Sequence, residues 1–298
     1  MPSPTPTTAP PTLTLAGRHV PRLGFGALHL AGPGGWGAPT DRDRAIALVR
    51  GAVDAGIRYI DTADSLGPDV SESVIAEALW PYADDLLIAT KAGMTRTGPH
   101  SWGVLGHPAY LRQQAYASAL RLRLESIPLF YLHRIDPAFP LADQLGALSD
   151  LRAEGVIEHI GLSAVTIEQL DAAERIVPIS AVQNHYNVAS RDSDDVLDAA
   201  AERGIPFVTF WSLGRGRALL DEPTVAAIAR DLGIPAATVL LAWIIQRSPS
   251  TIPLAGTASL THLHENLDAV SLALPASAVE RLDALAARTG AVPAFATR

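Results

Sequence analysis

The chain has 298 residues, of which 48% are hydrophobic, and its formal net charge is −8. The apolar fraction is sufficient for a large core, and the acidic balance without a basic tract argues against nucleic acid as the main partner. There is no cysteine, so disulfides and thiolate chemistry are excluded, and the nine histidines show no metal-ligand spacing. No apolar run reaches the length of a membrane span. The sequence therefore predicts a protein without a metal site or a membrane segment.

The first eleven residues consist almost entirely of Pro, Thr, Ser and Ala. They lack the basic start and apolar stretch of a signal peptide, so we expect a disordered tail over residues 1–11 and a cytoplasmic protein. The remaining residues, 12–298, are predicted to form one folded domain.

Strands and helices are expected to alternate along that domain. Leu13 to Val20 predicts a short hairpin that plugs one end of the fold. A Gly-rich strand over Leu23–Ala27 is followed by a helix from Asp41, which ends at Gly56. A short strand then ends at Asp61, and a polar loop leads to a helix from Ser71 to Trp80.

The same period continues to the end of the sequence. Further strands are predicted at Leu86–Thr90, Pro128–Leu132, Glu158–Leu162, Ile179–Val182, Pro206–Thr209 and Thr251–Pro253. Helices are predicted at Pro108–Leu124, Leu141–Ala153 and Asp192–Glu202, from Thr166, Pro223 and Ala236, around Asn266, and at Ala276–Ala287. Residues 92–107 show no periodicity, and with Met94 and Trp102 they suggest a substrate lid. Eight strands alternating with helices predict a single (β/α)8 TIM barrel with a short N-terminal hairpin and a C-terminal helix.

Reactive side chains follow several of the predicted strands, including Asp61, Lys91 and His133. In a barrel of this kind the carboxyl ends of all strands meet at one mouth, so these side chains should converge. Lys91 is the only lysine in a chain whose other side-chain cations are 22 arginines. A retained lysine suggests a need for a compact charge whose pKa responds to burial.

Seven segments carry a resemblance to a known family: Leu23–Gly26, Asp61–Ala63, Thr90–Lys91, Tyr131–Arg134, Ile160–Ser163, Gln183–Asn187, and Pro253–Thr257 with Glu265–Asn266. Together they resemble the aldo-keto reductase superfamily, of the bacterial NADPH-dependent type, over nearly the whole chain. The resemblance implies a (β/α)8 barrel that binds NADP(H) without a Rossmann motif. It also implies reduction of small or medium aldehydes and ketones by an Asp, Tyr, Lys, His tetrad.

Three tetrad positions match, as Asp61, Lys91 and His133, but the tyrosine position of the pattern Asp-Thr-Ala-x-x-Tyr-Gly is occupied by Leu66. Hydride addition to a carbonyl leaves an alkoxide that needs a proton, and leucine cannot donate one. Tyr59 and Tyr131 are predicted to be core residues on the inner face of the barrel. Tyr110, beyond the lid segment, is the remaining tyrosine that we considered as a substitute.

The resemblance also assigns cofactor and substrate positions. Cofactor contacts are expected from Gly26, Ser163, Gln183, Phe210, Trp211, Ser212, Leu213, Gly214, Arg217, Gly256, Thr257, Ser259, His262, Glu265 and Asn266. Pocket walls are expected from Trp36, Met94, Trp102 and Arg134. The chain departs from the pattern at Ala164, where an asparagine is usual, and at Ser212, where a proline is usual. His262 stands where some relatives carry the arginine that meets the 2′-phosphate.

Three accounts of Leu66 remain open at this point. It is an introduced substitution that disables a working reductase, or it is natural in a weak reductase that uses His133 or water as the acid. Alternatively, it marks a non-redox descendant, such as a dehydratase, isomerase or cyclase, that retains NADP. A fourth hypothesis is a nucleotide-sensing regulatory subunit, against which the lack of an interaction segment beyond the tail argues. The substrate, the reaction direction and the oligomeric state are not specified by these patterns.

Overall fold

The computed structural model describes residues 12–289, with side chains through residue 286. The predicted tail over residues 1–11 and the last nine residues of the predicted domain lie outside the described residues. The chain begins with an antiparallel hairpin of β1 (Thr12–Leu15) and β2 (Arg18–Pro21). Its turn residues, Ala16 and Gly17, both have positive φ, which is the geometry of a tight hairpin turn. Leu15 and Val20 are fully buried against the inner barrel residues, so the hairpin closes one end of the barrel as predicted.

Eight parallel strands form a closed barrel. They are β3 (Gly24–Gly26), β4 (Tyr59–Asp61), β5 (Leu87–Ala92), β8 (Ile127–Leu132), β9 (Ile157–Ser163), β10 (Ala181–His185), β11 (Phe207–Phe210) and β12 (Thr251–Ala255). Between β5 and β8 lies a second hairpin, formed by β6 (Met94–Gly98) and β7 (Ser101–Val104). The barrel strands are neighbours in chain order, and β12 closes the ring by pairing with β3. The prediction of a (β/α)8 barrel is confirmed.

Helices surround the barrel. They are α1 (Arg42–Asp54), α2 (Val70–Leu79), α3 (Pro108–Leu122), α4 (Leu141–Ala153), α5 (Ile167–Glu174), α6 (Asp194–Glu202), α7 (Pro223–Leu232), α8 (Ala236–Arg247), α9 (Leu260–Asp268) and α10 (Ala276–Thr289). Within residues 12–289 no single helix is long and apolar enough to cross a membrane. The pair α7 and α8, bent by 96°, passes that test only by length and composition.

Two glycines on barrel strands make room for large rings inside the barrel. A Cβ on Gly24 would lie 2.5 Å from Cδ1 of Tyr59, and one on Gly161 would lie 2.4 Å from Cδ1 of Tyr131. Both distances are far below van der Waals contact, so any larger residue would displace the tyrosine beside it. Tyr59 and Tyr131 are fully buried, which confirms their prediction as core residues.

The prediction of an irregular segment over residues 92–107 was wrong, because β6 and β7 pair there across a tight turn. The strands are short and partly exposed, so their side chains lack the apolar alternation by which a half-buried strand is recognised. The register also shifts between Arg96 and Gly98, which further obscures the pattern. The hairpin stands beside the carboxyl ends of the barrel strands, since Met94 and Trp102 line the cavity there.

Candidate active site

A cavity of about 230 Å³ opens at the carboxyl ends of the barrel strands. Most of the predicted site residues line it: Gly26, Asp61, Leu66, Lys91, Met94, Trp102, His133, Arg134, Ser163, Gln183, Phe210, Trp211, Ser212, Leu213, Gly214 and Gly256. The convergence predicted from the strand ends is therefore present. The other predicted residues lie outside this lining: Trp36, Arg217, Thr257, Ser259, His262, Glu265 and Asn266.

The only lysine and the first strand-end acid form a buried ion pair. Lys91 Nζ lies 2.5 Å from Asp61 Oδ1 and also donates to the carbonyl oxygen of Thr62 at 2.8 Å. Lys91 is 3% exposed and Asp61 6% exposed, so solvent screens the pair weakly. Burial lowers the pKa of Lys91 from its ordinary value, and the carboxylate of Asp61 opposes that shift.

The second carboxylate oxygen of Asp61 accepts two further hydrogen bonds. Tyr59 donates from its hydroxyl at 2.9 Å, and Gln183 donates from Nε2 at 2.8 Å. The core prediction for Tyr59 was correct but missed this polar role. Tyr59 and Asp61 are two residues apart in β4, and this spacing places both side chains on the same face of a strand, so the contact had a signal in the sequence.

His133 lies at the end of β8 and lines the same cavity. Burial, with the nearby cations of Arg134 and Lys91, lowers the pKa of His133 well below its ordinary value. The imidazole is therefore neutral at neutral pH. Its Nδ1 atom is buried and has no hydrogen-bond partner among the described residues.

Leu66 lines the cavity at 8% exposure and offers no polar hydrogen to it. Tyr110 does not replace the missing phenol, because its hydroxyl faces Asp64 Oδ2 at 3.2 Å and the carbonyl oxygen of Met94 at 3.1 Å. It also lies outside the cavity lining. The hypothesis that Tyr110 is a substitute proton donor was therefore wrong.

An aromatic ring and a cation form another part of the cavity wall. The Arg134 guanidinium lies 5.6 Å from the centroid of the Phe210 ring and donates to Ser163 Oγ at 3.1 Å. Burial lowers the pKa of Arg134 to about 10, so it remains a cation at neutral pH. The His185 ring stacks on Phe210 at 5.8 Å. This wall presents a flat ring edged by a positive charge.

The loop after β11 is held in a defined shape. Trp211 has a positive φ of 51°, an uncommon value for a bulky residue, and Asn187 Nδ2 donates to its carbonyl oxygen at 2.9 Å. The Arg215 guanidinium lies 3.5 Å from the Trp211 ring centroid. Arg217 instead points to solvent and pairs with Asp221.

The far end of the candidate cofactor region lies at the start of α9. Ser259 caps this helix by accepting from the backbone N–H of His262, and Thr257 Oγ1 accepts from the N–H of Ser259. The Oδ1 atom of Asn266 is buried without a partner among the described residues. From α1, Arg44 donates to the carbonyl oxygen of Ala258 at 3.3 Å.

His29 is a cavity residue that the sequence reading missed. It lies in the turn that follows β3, and burial lowers its pKa. Its position after a barrel strand was the available signal, since every βα loop of such a barrel faces the mouth. His29 also borders a second cavity, of about 490 Å³, together with Asp41, Arg44 and Ala258.

The sequence model of the Aldo/keto reductase family matches residues 22–287. This chain belongs to the aldo/keto reductase family. It is 40% identical over 280 residues to the pyridoxine 4-dehydrogenase of Escherichia coli, covering 92% of this chain and 98% of that protein. It is 39% identical over 264 residues to an uncharacterized oxidoreductase of Schizosaccharomyces pombe, covering 89% and 86%.

Solved structures of the family also match. An aldo-keto reductase from Klebsiella pneumoniae, crystallised with NADPH, superposes with a TM-score of 0.80 at 25% identity. The match covers 93% of this chain and 95% of that one. In this aldo/keto reductase, Asp61, Leu66, Lys91 and His133 all line the cavity.

Proposed function

We propose that this aldo/keto reductase is an NADPH-dependent oxidoreductase that reduces small or medium aldehydes and ketones to alcohols. The observation that carries the proposal is the buried Lys91–Asp61 pair facing a cavity that His133 and Arg134 also line. The Escherichia coli relative is named a dehydrogenase, and the Klebsiella pneumoniae relative was crystallised with NADPH. The expectation of a cytoplasmic enzyme stays a prediction.

The residues present fit a dinucleotide along one side of the barrel mouth. The partnerless Oδ1 of Asn266 is an acceptor suited to the amino group of a base. A Cβ on Gly256 would lie 3.3 Å from Cδ2 of His29, so glycine keeps the backbone open there. Ser212 and Leu213 in the loop after β11, and Leu260 and Thr261 at the start of α9, offer backbone N–H groups for phosphates. Arg44 beside Ala258 adds a cation near His262, which favours NADPH over NADH.

The bound cofactor would supply a hydride to the carbonyl carbon. The chain's own residues then have to stabilise negative charge on the carbonyl oxygen. Lys91 provides a buried cation on the cavity wall, and the neutral His133 ring provides a polar group that orients the oxygen. Leu66, Met94 and Trp102 line the cavity with apolar side chains, which would reduce the water around a bound carbonyl and so strengthen these electrostatic contacts.

Replacing Leu66 by tyrosine tests this proposal. A positioned general acid typically contributes about 10²- to 10⁴-fold in rate, so the present chain should be a weak reductase rather than an inactive one. Leu66→Tyr should increase NADPH-dependent reduction of a simple aldehyde by at least about tenfold. The measurement is NADPH oxidation with identification of the alcohol, across a panel of aldehydes and ketones.

Leu66→Phe is the matched control, because it adds the same ring without a hydroxyl. It should give no gain, and calorimetry should show similar NADPH affinity for all three proteins. A folded, NADPH-binding Leu66→Tyr variant that gains nothing over Leu66→Phe would contradict the proposal. The non-redox descendant that retains NADP would then be the better account.

A further inference from the structure

Two buried tyrosines extend the Asp61–Lys91 pair into the barrel interior. The Tyr59 and Tyr131 hydroxyl oxygens lie 3.3 Å apart, and Tyr59 is 2.9 Å from Asp61 Oδ2. The Tyr131 ring lies beneath Lys91, with Nζ 5.3 Å from the ring centroid. Gly24 and Gly161 carry no side chain, and this leaves the space that the two tyrosine rings occupy.

Counting protons fixes the direction of these hydrogen bonds. Asp61 accepts hydrogen bonds from Lys91 and Gln183, and the Tyr59 hydroxyl donates to its second carboxylate oxygen. Burial and the charge of Asp61 raise the pKa of Tyr59 well above its ordinary value, which keeps its single proton in place. Since Tyr59 has only that one proton, Tyr131 must donate to Tyr59. The order of donation is Tyr131 to Tyr59 to Asp61.

Lys91 retains one proton that no other group uses. An ammonium group has three N–H donors. Two are engaged by Asp61 Oδ1 and the Thr62 carbonyl oxygen, and among residues 12–289 no third acceptor is present. Lys91 lines the cavity, so the third N–H is available to a substrate oxygen.

We propose that Lys91 delivers this proton to the carbonyl oxygen, and that Tyr59, oriented by Tyr131, is the positioning residue that weakens the hydrogen bond between Asp61 and the Lys91 ammonium. The inference rests on the proposed function. The hydride forms the new C–H bond, the carbonyl π electrons move to oxygen, and the oxygen takes a proton from Lys91 Nζ. The products are the alcohol, the oxidised nicotinamide and a neutral Lys91 amine, which regains a proton from water after the product leaves.

The other polar groups at the cavity are poorer acids. His133 is neutral, and a neutral imidazole can donate a hydrogen bond but rarely gives up its proton. Burial likewise lowers the pKa of His29. Arg134 already donates to Ser163 and is a weaker acid than a desolvated ammonium. Burial lowers the pKa of Lys91, which makes its ammonium a better acid.

The first test does not depend on turnover. Because Lys91 is the only lysine, lysine labelled with ¹³Cε and ¹⁵Nζ gives a single side-chain resonance. Titration of that resonance in the NADP⁺-bound protein should show a pKa below the ordinary lysine value. Tyr59→Phe should move that pKa upwards, because Asp61 loses a donor and holds the ammonium proton more strongly. Tyr82→Phe, which removes a hydroxyl bonded to the distant carbonyl of Leu122, is the matched control.

An ordinary lysine pKa, or one that Tyr59→Phe leaves in place, would overturn the inference whatever the activity of the protein. If the parent chain binds NADPH but reduces nothing, the proposed function fails while this titration still gives its own result. The two failures are therefore distinguishable.

The second test uses the rate of aldehyde reduction. The rate should fall at alkaline pH with the pKa found for Lys91. Tyr59→Phe should shift this alkaline limb of the pH–rate profile to higher pH. The same variant should have a kcat reduced about fivefold at neutral pH. Lys91→Arg keeps the positive charge but cannot release a proton, so it should lose at least about tenfold. Retention of the parent rate by Lys91→Arg, or an unshifted limb in Tyr59→Phe, would show that Lys91 acts only by its charge.

Discussion

Asp64, two residues before Leu66, is a buried carboxyl group with a single hydrogen-bonded neighbour among the described side chains. The Tyr110 hydroxyl lies within hydrogen-bond distance of both Asp64 Oδ2 and the Met94 carbonyl oxygen, yet it carries only one proton. Burial and the nearby Glu72 carboxylate raise the pKa of Asp64 well above its ordinary value, against smaller opposing effects from Tyr110 and Arg121. A protonated Asp64 satisfies both contacts, because it donates to Tyr110 while Tyr110 donates to Met94.

We therefore expect Asp64→Asn to be more stable than the parent, by a margin that increases as pH rises. The folded state binds the Asp64 proton more tightly than the unfolded state does. The parent therefore loses stability as pH rises from about 4 through the raised pKa of folded Asp64. The asparagine amide can make the same donation to Tyr110 at every pH. Urea unfolding should show a gain for the variant that is larger at pH 8 than at pH 5, by about 1 kcal/mol or more.

The exposed Asp84 provides a control, since a surface substitution such as Asp84→Asn should change the free energy of unfolding by no more than about 0.5 kcal/mol. A constant difference between the Asp64→Asn variant and its parent at pH 5 and pH 8 would mean that Asp64 is ionised throughout.

At the scale of elements, the β6–β7 hairpin forms one cavity wall together with the loops that follow β3 and β4. The Arg96 guanidinium lies 3.7 Å from the Trp102 ring centroid and 5.2 Å from that of Trp36. It donates to the Gly35 carbonyl oxygen at 2.9 Å. Trp36 in turn forms a backbone bridge with Gly67, next to Leu66. Trp36 therefore supports the cavity wall from behind rather than lining the cavity.

Removal of the Arg96 side chain should loosen this wall without unfolding the barrel. In Arg96→Ala, the hairpin loses its hydrogen bonds to the loop after β3 and its cation–π contacts. These contacts are worth about 0.5–2 kcal/mol each. Hydrogen exchange followed by mass spectrometry should show faster deuterium uptake over residues 94–104 and 32–37, with unchanged uptake in β8 and β9.

Arg112→Ala removes a partly exposed arginine that is paired with Glu154 away from the hairpin, and it should leave the uptake of the hairpin unchanged. Equal uptake by the parent and the Arg96→Ala variant over residues 94–104 would show that β6–β7 pairing alone holds the hairpin.

At the scale of the whole molecule, the proposed cofactor region joins distant parts of the chain. It includes the loop after β11, Gly256 at the end of β12, Asn266 in α9 and Arg44 in α1. A ligand that contacts all of these should stabilise the folded barrel by mass action, since the contacts do not exist together in the unfolded chain. The stabilisation should depend on the 2′-phosphate, because the Arg44 guanidinium contacts the Ala258 carbonyl oxygen and His262 lies in the first turn of α9.

We expect NADPH to raise the melting temperature more than NADH at equal concentration. A ligand at 100 times its Kd stabilises the folded state by about 2.7 kcal/mol, which corresponds to roughly 4 °C for a chain of this size. Thermal scans with each cofactor measure the difference. Arg44→Ala should reduce the NADPH shift and leave the NADH shift unchanged. Equal shifts for the two cofactors, or none with either, would contradict NADPH selectivity.

Periodicity and turn residues in the sequence were sufficient to predict the barrel and the carboxyl-end mouth. The apolar repeat of strands and helices encodes which face of each element is buried, and a closed parallel barrel then brings all strand ends together. Asp61, Lys91 and His133 could be placed at the mouth because each was predicted at the carboxyl end of such a strand. Leu66 could be located because it lies at a fixed spacing from Asp61 within one loop.

The tertiary structure alone determined which side chains meet across the barrel. Tyr131 meets Tyr59 from a strand that is not its neighbour, and this contact depends on the stagger of the closed barrel and on the space left by Gly24 and Gly161. Tyr110 and Asp64 are brought together by helix packing, which periodicity does not specify. The β6–β7 hairpin forms from short, partly exposed strands, so no apolar alternation in the sequence predicted it. Local patterns give the face and the end of each element, whereas contacts between elements depend on their relative register.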